Sequence, residues 1–77
     1  MELKLPLFGE RLRLLRQENK LTQRQMAALF DITERNYQRW ESGQVDPTGR
    51  ALIFLGDYFH VSVDYLLGRT DRRDMAP

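Results

Sequence analysis

Apolar residues along this chain recur every three or four positions rather than every second one, which is helical spacing. Phe8, Leu12 and Leu15 stand at i, i+4 and i+7, with Pro6 near the first turn and Asn19-Lys20 as a stop, and predict a first helix. Thr22 opens a second. Gln25 follows it at capping-box spacing, Met26 and Phe30 supply the inner face, Ala27 offers a small surface for close approach, and the helix should end near Asp31. Thr33 caps a third helix whose inward pair is Tyr37 and Trp40, with Gly43 placed to take the left-handed conformation after its end. Asp46-Pro47-Thr48 reads as a turn and a fresh N-cap. Leu52, Leu55 and Phe59 line a fourth helix, Gly56 is a small contact point, and His60 ends it. Ser62 caps a fifth, with Asp64 in its first turn, Leu66 and Leu67 packing it down and Gly68 closing it. From Arg69 to Pro77 the chain is polar and should fray. No segment alternates apolar and polar residues over a strand's length. The expected architecture is all-α, five short helices in one domain over residues 1–68, followed by a polar C-terminal tail over residues 69–77.

Length and composition narrow the function. Seventy-seven residues make one small domain, of a size that buries only ~60% of the surface its unfolded chain exposes. With 42% hydrophobic and 30% charged residues it reads as an ordinary globular protein rather than a disordered one. There is no cysteine and a single histidine, His60, so thiolate chemistry is excluded and no metal or other cofactor is implied. So short a chain has little room to build and desolvate a catalytic cleft, and no enzyme is expected. No apolar run approaches the ~20 residues that span a bilayer, and no signal-peptide pattern opens the chain. A soluble, cytoplasmic protein is expected. The net charge of +1 says little, but ten of the twelve basic residues are arginine, the side chain that forks onto phosphates and guanine edges.

Three residues then form a pattern. Ala27, Asp31 and Tyr37 fall where a helix-turn-helix needs a small residue, a turn residue that tolerates positive φ, and a buried side chain. Aspartate in place of the usual glycine costs roughly 1 kcal/mol. At ~100° per residue, Tyr37 and Trp40 point one way along the third helix. Arg35, Gln38, Arg39 and Ser42 point the other way, with Glu34 and Asn36 flanking. Two arginines and a glutamine are the donors that read guanine and adenine in the major groove. A solvated surface helix also presents a polar face; the turn geometry beside this one tips the reading towards DNA.

The stretches Arg11-Leu12-Arg13-Leu14-Leu15-Arg16, Leu21-Thr22-Gln23, Ile32-Thr33-Glu34-Arg35-Asn36-Tyr37-Gln38-Arg39-Trp40-Glu41-Ser42-Gly43 and Val61-Ser62-Val63-Asp64-Tyr65-Leu66-Leu67-Gly68 carry a clear likeness. Together they resemble the phage-repressor (Cro/xenobiotic-response-element, XRE) helix-turn-helix family over roughly residues 8–68. The resemblance implies a lambda-repressor-like fold and double-stranded DNA as partner. It implies base contacts from Glu34, Arg35, Asn36, Gln38 and Arg39, and phosphate contacts from Gln23, Ser42 and Gln44. For Glu34 two roles stay open, accepting from a cytosine N4 group or favouring the helix N-terminus. Arg16 and Glu41 match a partly buried ion pair that orients the recognition helix. Leu14, Leu29, Phe54 and Tyr58 are apolar where the family usually carries polar residues. Phe54 and Tyr58 either widen the core or form a homodimer surface; the dimer is the favoured expectation, with Tyr65 a further candidate for it. The reading is a transcriptional regulator, a repressor bound as a homodimer to a pseudo-palindromic operator. The alternative is the antitoxin of a toxin–antitoxin pair, which would bind a protein partner through the tail.

Overall fold

The computed structural model describes residues 7–74; Pro6 and the last three residues of the expected tail lie outside that range. The five helices are α1 (Phe8–Glu18), α2 (Gln23–Leu29), α3 (Glu34–Glu41), α4 (Gly49–Phe59) and α5 (Val63–Leu67). Helices this short are marginal in isolation, and their ends carry much of their definition. Thr22, Thr33, Thr48 and Ser62 all sit at N-caps, each accepting from the backbone N–H three residues on. Thr22 and Gln25 complete the capping box in both directions. A cap of this kind contributes about 1 kcal/mol.

The C-terminal ends share one device. Each helix closes with a backbone bond five residues back: Leu21 to Arg16, Ile32 to Ala27, Gln44 to Arg39, Val61 to Gly56 and Arg69 to Asp64. In every case the residue before the donor is left-handed: Lys20, Asp31, Gly43, His60 and Gly68. Such closures satisfy carbonyls that the helix end leaves orphaned. Three of the five use a residue other than glycine, at roughly 1 kcal/mol each. Lys20 is the one that composition does not signal. The closure at Asp31 also brings α2 to its end at Leu29, two residues earlier than the apolar spacing suggests.

The core is assembled from Phe8, Leu12 and Leu15 of α1, Met26 and Ala27 of α2, Tyr37 of α3, Leu52 and Leu55 of α4, Val61, and Tyr65 and Leu66 of α5. Phe30, Trp40, Phe59 and Leu67 are half-buried against it. Gly56 allows close approach, since a β-carbon there would lie 3.0 Å from the Val61 carbonyl oxygen.

Two expectations need correction. Tyr65 was a candidate for the dimer surface, but it is only 5% exposed. The guanidinium groups of Arg11 and Arg73 both lie over its ring, 4.2 and 5.3 Å from the centroid. The segment after Gly68, expected to fray, is what covers it. Ser62 donates its backbone N–H to the Arg73 carbonyl at 2.6 Å. Arg11 donates to the carbonyls of Tyr65 and Thr70 and to Asp71. Arg73 forks onto Glu18 at 2.7 and 2.8 Å. The segment is polar because it is held by charges and carbonyls, so its composition resembles that of a loose tail although it is folded back through Arg73.

Candidate nucleic-acid interface

The α2–α3 unit is built as the three-residue pattern requires. Ala27 is 3% exposed, Asp31 has φ 53°, and Tyr37 is fully buried. This turn holds α3 across α2 and leaves the opposite face of α3 to solvent. Arg35, Gln38, Arg39, Ser42 and Gln44 line one shallow depression of about 340 Å³ along that face. Glu34 and Asn36 are exposed at the start of the helix, outside the depression, as flanking positions.

Behind this face lies a polar network around Glu41, whose side chain is 4% exposed. Its carboxylate accepts from Arg16 Nε at 2.6 Å and Nη2 at 3.2 Å, from the Tyr37 hydroxyl, and from Gln23 Nε2 at 3.2 Å. Arg16 also donates to the Leu21 carbonyl at 3.0 Å. Burial by itself would push the Glu41 carboxyl up; the hydrogen bonds from Arg16, Tyr37 and Gln23 outweigh it and hold the group below the usual carboxylate range. The same contacts act on the partners. The Arg16 guanidinium is raised by its bond to Glu41, and the Tyr37 phenol is pushed well up by burial and by donating to that carboxylate. No buried side-chain nitrogen or oxygen among the described residues lacks a partner.

Of this network, the Arg16–Glu41 pair was expected from the family likeness. The roles of Tyr37 and Gln23 were not. Tyr37 reads from the sequence as an apolar core residue, yet its hydroxyl is a donor to Glu41 one helical turn on. The side chain of Gln23 is turned inward to Glu41, and Gln38 Nε2 donates to its Oε1 at 3.1 Å. Linear spacing holds no signal for the Gln23 contacts, whereas Tyr37 and Glu41 stand at i, i+4 on one helix, a spacing that places them side by side.

Charge is sorted over the surface. Arg11, Arg16, Arg69, Arg72 and Arg73 are each paired with a carboxylate. Arg13, Arg24, Arg35, Arg39 and Arg50 are exposed and have no ion-pair partner among the described residues. A net charge of +1 thus conceals two arginines one turn apart on α3 with no ion-pair partner among the described residues.

Away from this face, Phe54 and Tyr58 are 39% and 41% exposed and stack at 5.8 Å, while Phe54 also meets Phe30 edge-on at 5.0 Å. Leu14 and Leu29 are likewise part-exposed. The described residues hold no group of acidic and histidine side chains fit for a metal, and no helix long and apolar enough to cross a membrane.

Known proteins carry the same pattern. The family described as Helix-turn-helix matches residues 12–66. The chain is 38% identical over 68 residues to the uncharacterized HTH-type transcriptional regulator YobD of Bacillus subtilis, covering 88% of this chain and 61% of that protein. It is 35% identical to the HTH-type transcriptional regulator DicA of Escherichia coli, covering 100% of this chain and 58% of that protein. It is 38% identical over 60 residues to the cryptic phage CTXphi transcriptional repressor RstR of Vibrio cholerae, covering 78% and 54%. The chain therefore spans little more than half the length of these relatives. With the turn, the capped helices and the exposed face of α3 in the arrangement described, it belongs to the helix-turn-helix family of the phage-repressor (XRE) type.

Proposed function

We propose that this chain is the DNA-binding module of a transcriptional regulator, acting in the cytoplasm as a repressor on a pseudo-palindromic operator. The observation that carries this reading is the pair of exposed arginines, Arg35 and Arg39, beside Gln38 on one face of α3. Such a face placed in a major groove reads base edges through arginine on guanine and glutamine on adenine, with Glu34 and Asn36 at the rim. Gln23, Ser42 and Gln44 contact the phosphates on either side, Gln23 through its backbone N–H at the start of α2. The Arg16–Glu41 pair keeps α3 at a fixed angle to α1. Two copies joined through the exposed Phe54 and Tyr58 put their recognition helices one DNA turn apart, ~10 bp. Repression follows by occupancy, since polymerase cannot use the covered duplex. One relative is itself named a repressor.

The interaction-module alternative, an antitoxin with a protein partner, draws no comparable support. It would use the tail, and residues 69–73 are committed to α1, Ser62 and Tyr65.

Selection of bound duplexes from a random library tests the proposal directly. A half-site repeated about one turn apart is expected. Arg39→Ala should then cost ~1–3 kcal/mol on the selected duplex and relax its sequence at one or two positions. Gln44→Ala should weaken selected and scrambled duplexes by similar factors. Both are to be measured at several salt concentrations, because arginine also neutralises phosphate. Recovery of no preferred sequence would refute the reading.

A further inference from the structure

The Glu41 network reaches the recognition surface, and its chemistry has a direction. An ionised carboxylate only accepts hydrogen bonds. The atom that Gln23 turns to Glu41 must therefore be its amide nitrogen, at 3.2 Å. That choice forces Gln23 Oε1 to face outward. Gln38 lies against this oxygen, so it too must present nitrogen, at 3.1 Å. One N–H of Gln38 is used in this contact; its Oε1 and its second N–H remain, on the depression shared with Arg35 and Arg39. The orientation of a glutamine amide is ordinarily free, with oxygen and nitrogen exchangeable by a half-turn. Here a buried charge two hydrogen bonds away sets it.

We infer that Gln38 is a specificity-determining residue for adenine, with Gln23 and Glu41 as positioning residues that fix the polarity of its amide. An acceptor and a donor side by side match the adenine edge in the major groove, where N6 donates and N7 accepts. Guanine offers two acceptors there, and would leave Gln38 Oε1 facing an oxygen. Pre-orientation matters because an amide that must first choose between two rotamers loses entropy on binding. The inference rests on the DNA-binding reading above, and adds to it by which atoms Gln38 reads its base, what fixes their order, and why a residue in α1–α3 packing alters that reading.

The experiment uses the full chain and the duplex selected by the wild type, varied one base pair at a time. Gln38→Ala should flatten the preference at a single A·T pair, by roughly tenfold, and leave the positions governed by Arg39 as they were. Gln23→Ala should flatten the same pair. In the Gln38→Ala background it should change nothing further there, since it acts through Gln38. A merely structural role for Gln23 would instead lower affinity for all duplexes alike, and thermal melts keep folding under watch. Replacing that adenine by 7-deazaadenine removes only the N7 acceptor; the wild type should lose affinity and Gln38→Ala should not notice. The inference is overturned if Gln38→Ala leaves the ranking of base pairs intact, if the relaxed pair is G·C, or if Gln23→Ala shifts base preference without Gln38. Each of these leaves DNA reading by Arg35 and Arg39 standing. A wild type with no preferred sequence would instead bring down that reading and this one together.

Discussion

Gly9 lies face to face with the carbonyl of Glu41, so closely that a β-carbon built on it would overlap that oxygen and stand 2.9 Å from the neighbouring Trp40 carbonyl. Glycine inside a helix normally costs about 1 kcal/mol against alanine. In α1 it allows backbone contact with the end of α3, the same turn whose side chain takes Arg16. The recognition helix is thus held at its C-terminal end by backbone packing and by an ion pair at once.

Gly9→Ala should for this reason reverse the usual helix rule. Propensity predicts a gain, whereas the overlap with α3 backbone predicts a loss of roughly 1–3 kcal/mol. Thermal or urea unfolding decides the sign, and a stabilised variant would mean that α1 and α3 do not meet here.

Removing one side of the Arg16–Glu41 pair should be costly. Glu41→Ala leaves the Tyr37 hydroxyl without its acceptor and Arg16 without its carboxylate, with only the Leu21 carbonyl remaining, and should lower stability by about 3 kcal/mol. Tyr37→Phe removes one donor and leaves the carboxylate its other three bonds; about 1–2 kcal/mol is expected. For a domain of this size each kcal/mol corresponds to roughly 4–8 °C in Tm. Unchanged melting in Glu41→Ala would show the network to be idle.

The pH dependence follows from the direction of each shift. Glu41 is held below its ordinary value of 4.5 in the folded chain. Its contribution is therefore complete above that value and is lost as pH falls through the folded one. Tyr37 is shifted the other way, so its contribution is complete below the ordinary phenol value of 10.0 and is lost at higher pH. Urea midpoints should fall on acidification below about pH 5, and less steeply in Glu41→Gln. In alkali, the ultraviolet signal of Tyr37 ionisation should appear only with unfolding.

The folded-back tail should matter through Arg11 more than through Arg73. The Arg11 side chain is 11% exposed and serves three acceptors as well as the Tyr65 ring, so Arg11→Ala should cost about 2 kcal/mol. Glu18→Ala breaks a pair 41% exposed on both sides, which solvent screens, and should cost clearly less than Arg11→Ala. Differential scanning calorimetry of the two variants tests the order.

Assembly should depend on Tyr58. Its exposed ring makes Tyr58→Glu a mild change to the fold, and sedimentation should move to the monomer if the α4 surface joins two copies. Binding should then lose its dependence on half-site spacing. A variant that sediments and binds like the wild type would clear Tyr58 of any part in assembly.

Much of the architecture was legible because its causes are local. Thr22, Thr33, Thr48 and Ser62 each cap a backbone N–H only three residues away, and a contact that short needs no tertiary fold to bring it about. The same holds for the left-handed turns at Gly43 and Gly68, where the missing β-carbon is written in the residue itself. Lys20 takes that conformation too, but its side chain does not encode it; the closure from Leu21 to Arg16 does. The outward face of α3 followed from helical periodicity, whereas the burial of Tyr65 did not, because the tail that covers it could not be seen to return.

By itself, then, the sequence determined five helices, their boundaries to within two residues, the turn that makes α2 and α3 a unit, and the side chains that α3 turns outward. Only the tertiary structure decided which of those side chains are tied to which. Gln38 finds Gln23 across 15 residues, Glu41 takes Arg16 across 25, and Arg73 reaches Glu18 across 55. Caps and periodicity act through backbone geometry that repeats every few residues, so residue type reports them. A hydrogen bond between side chains on different helices exists only once apolar packing has set the distance and angle between those helices, and no local pattern carries that information.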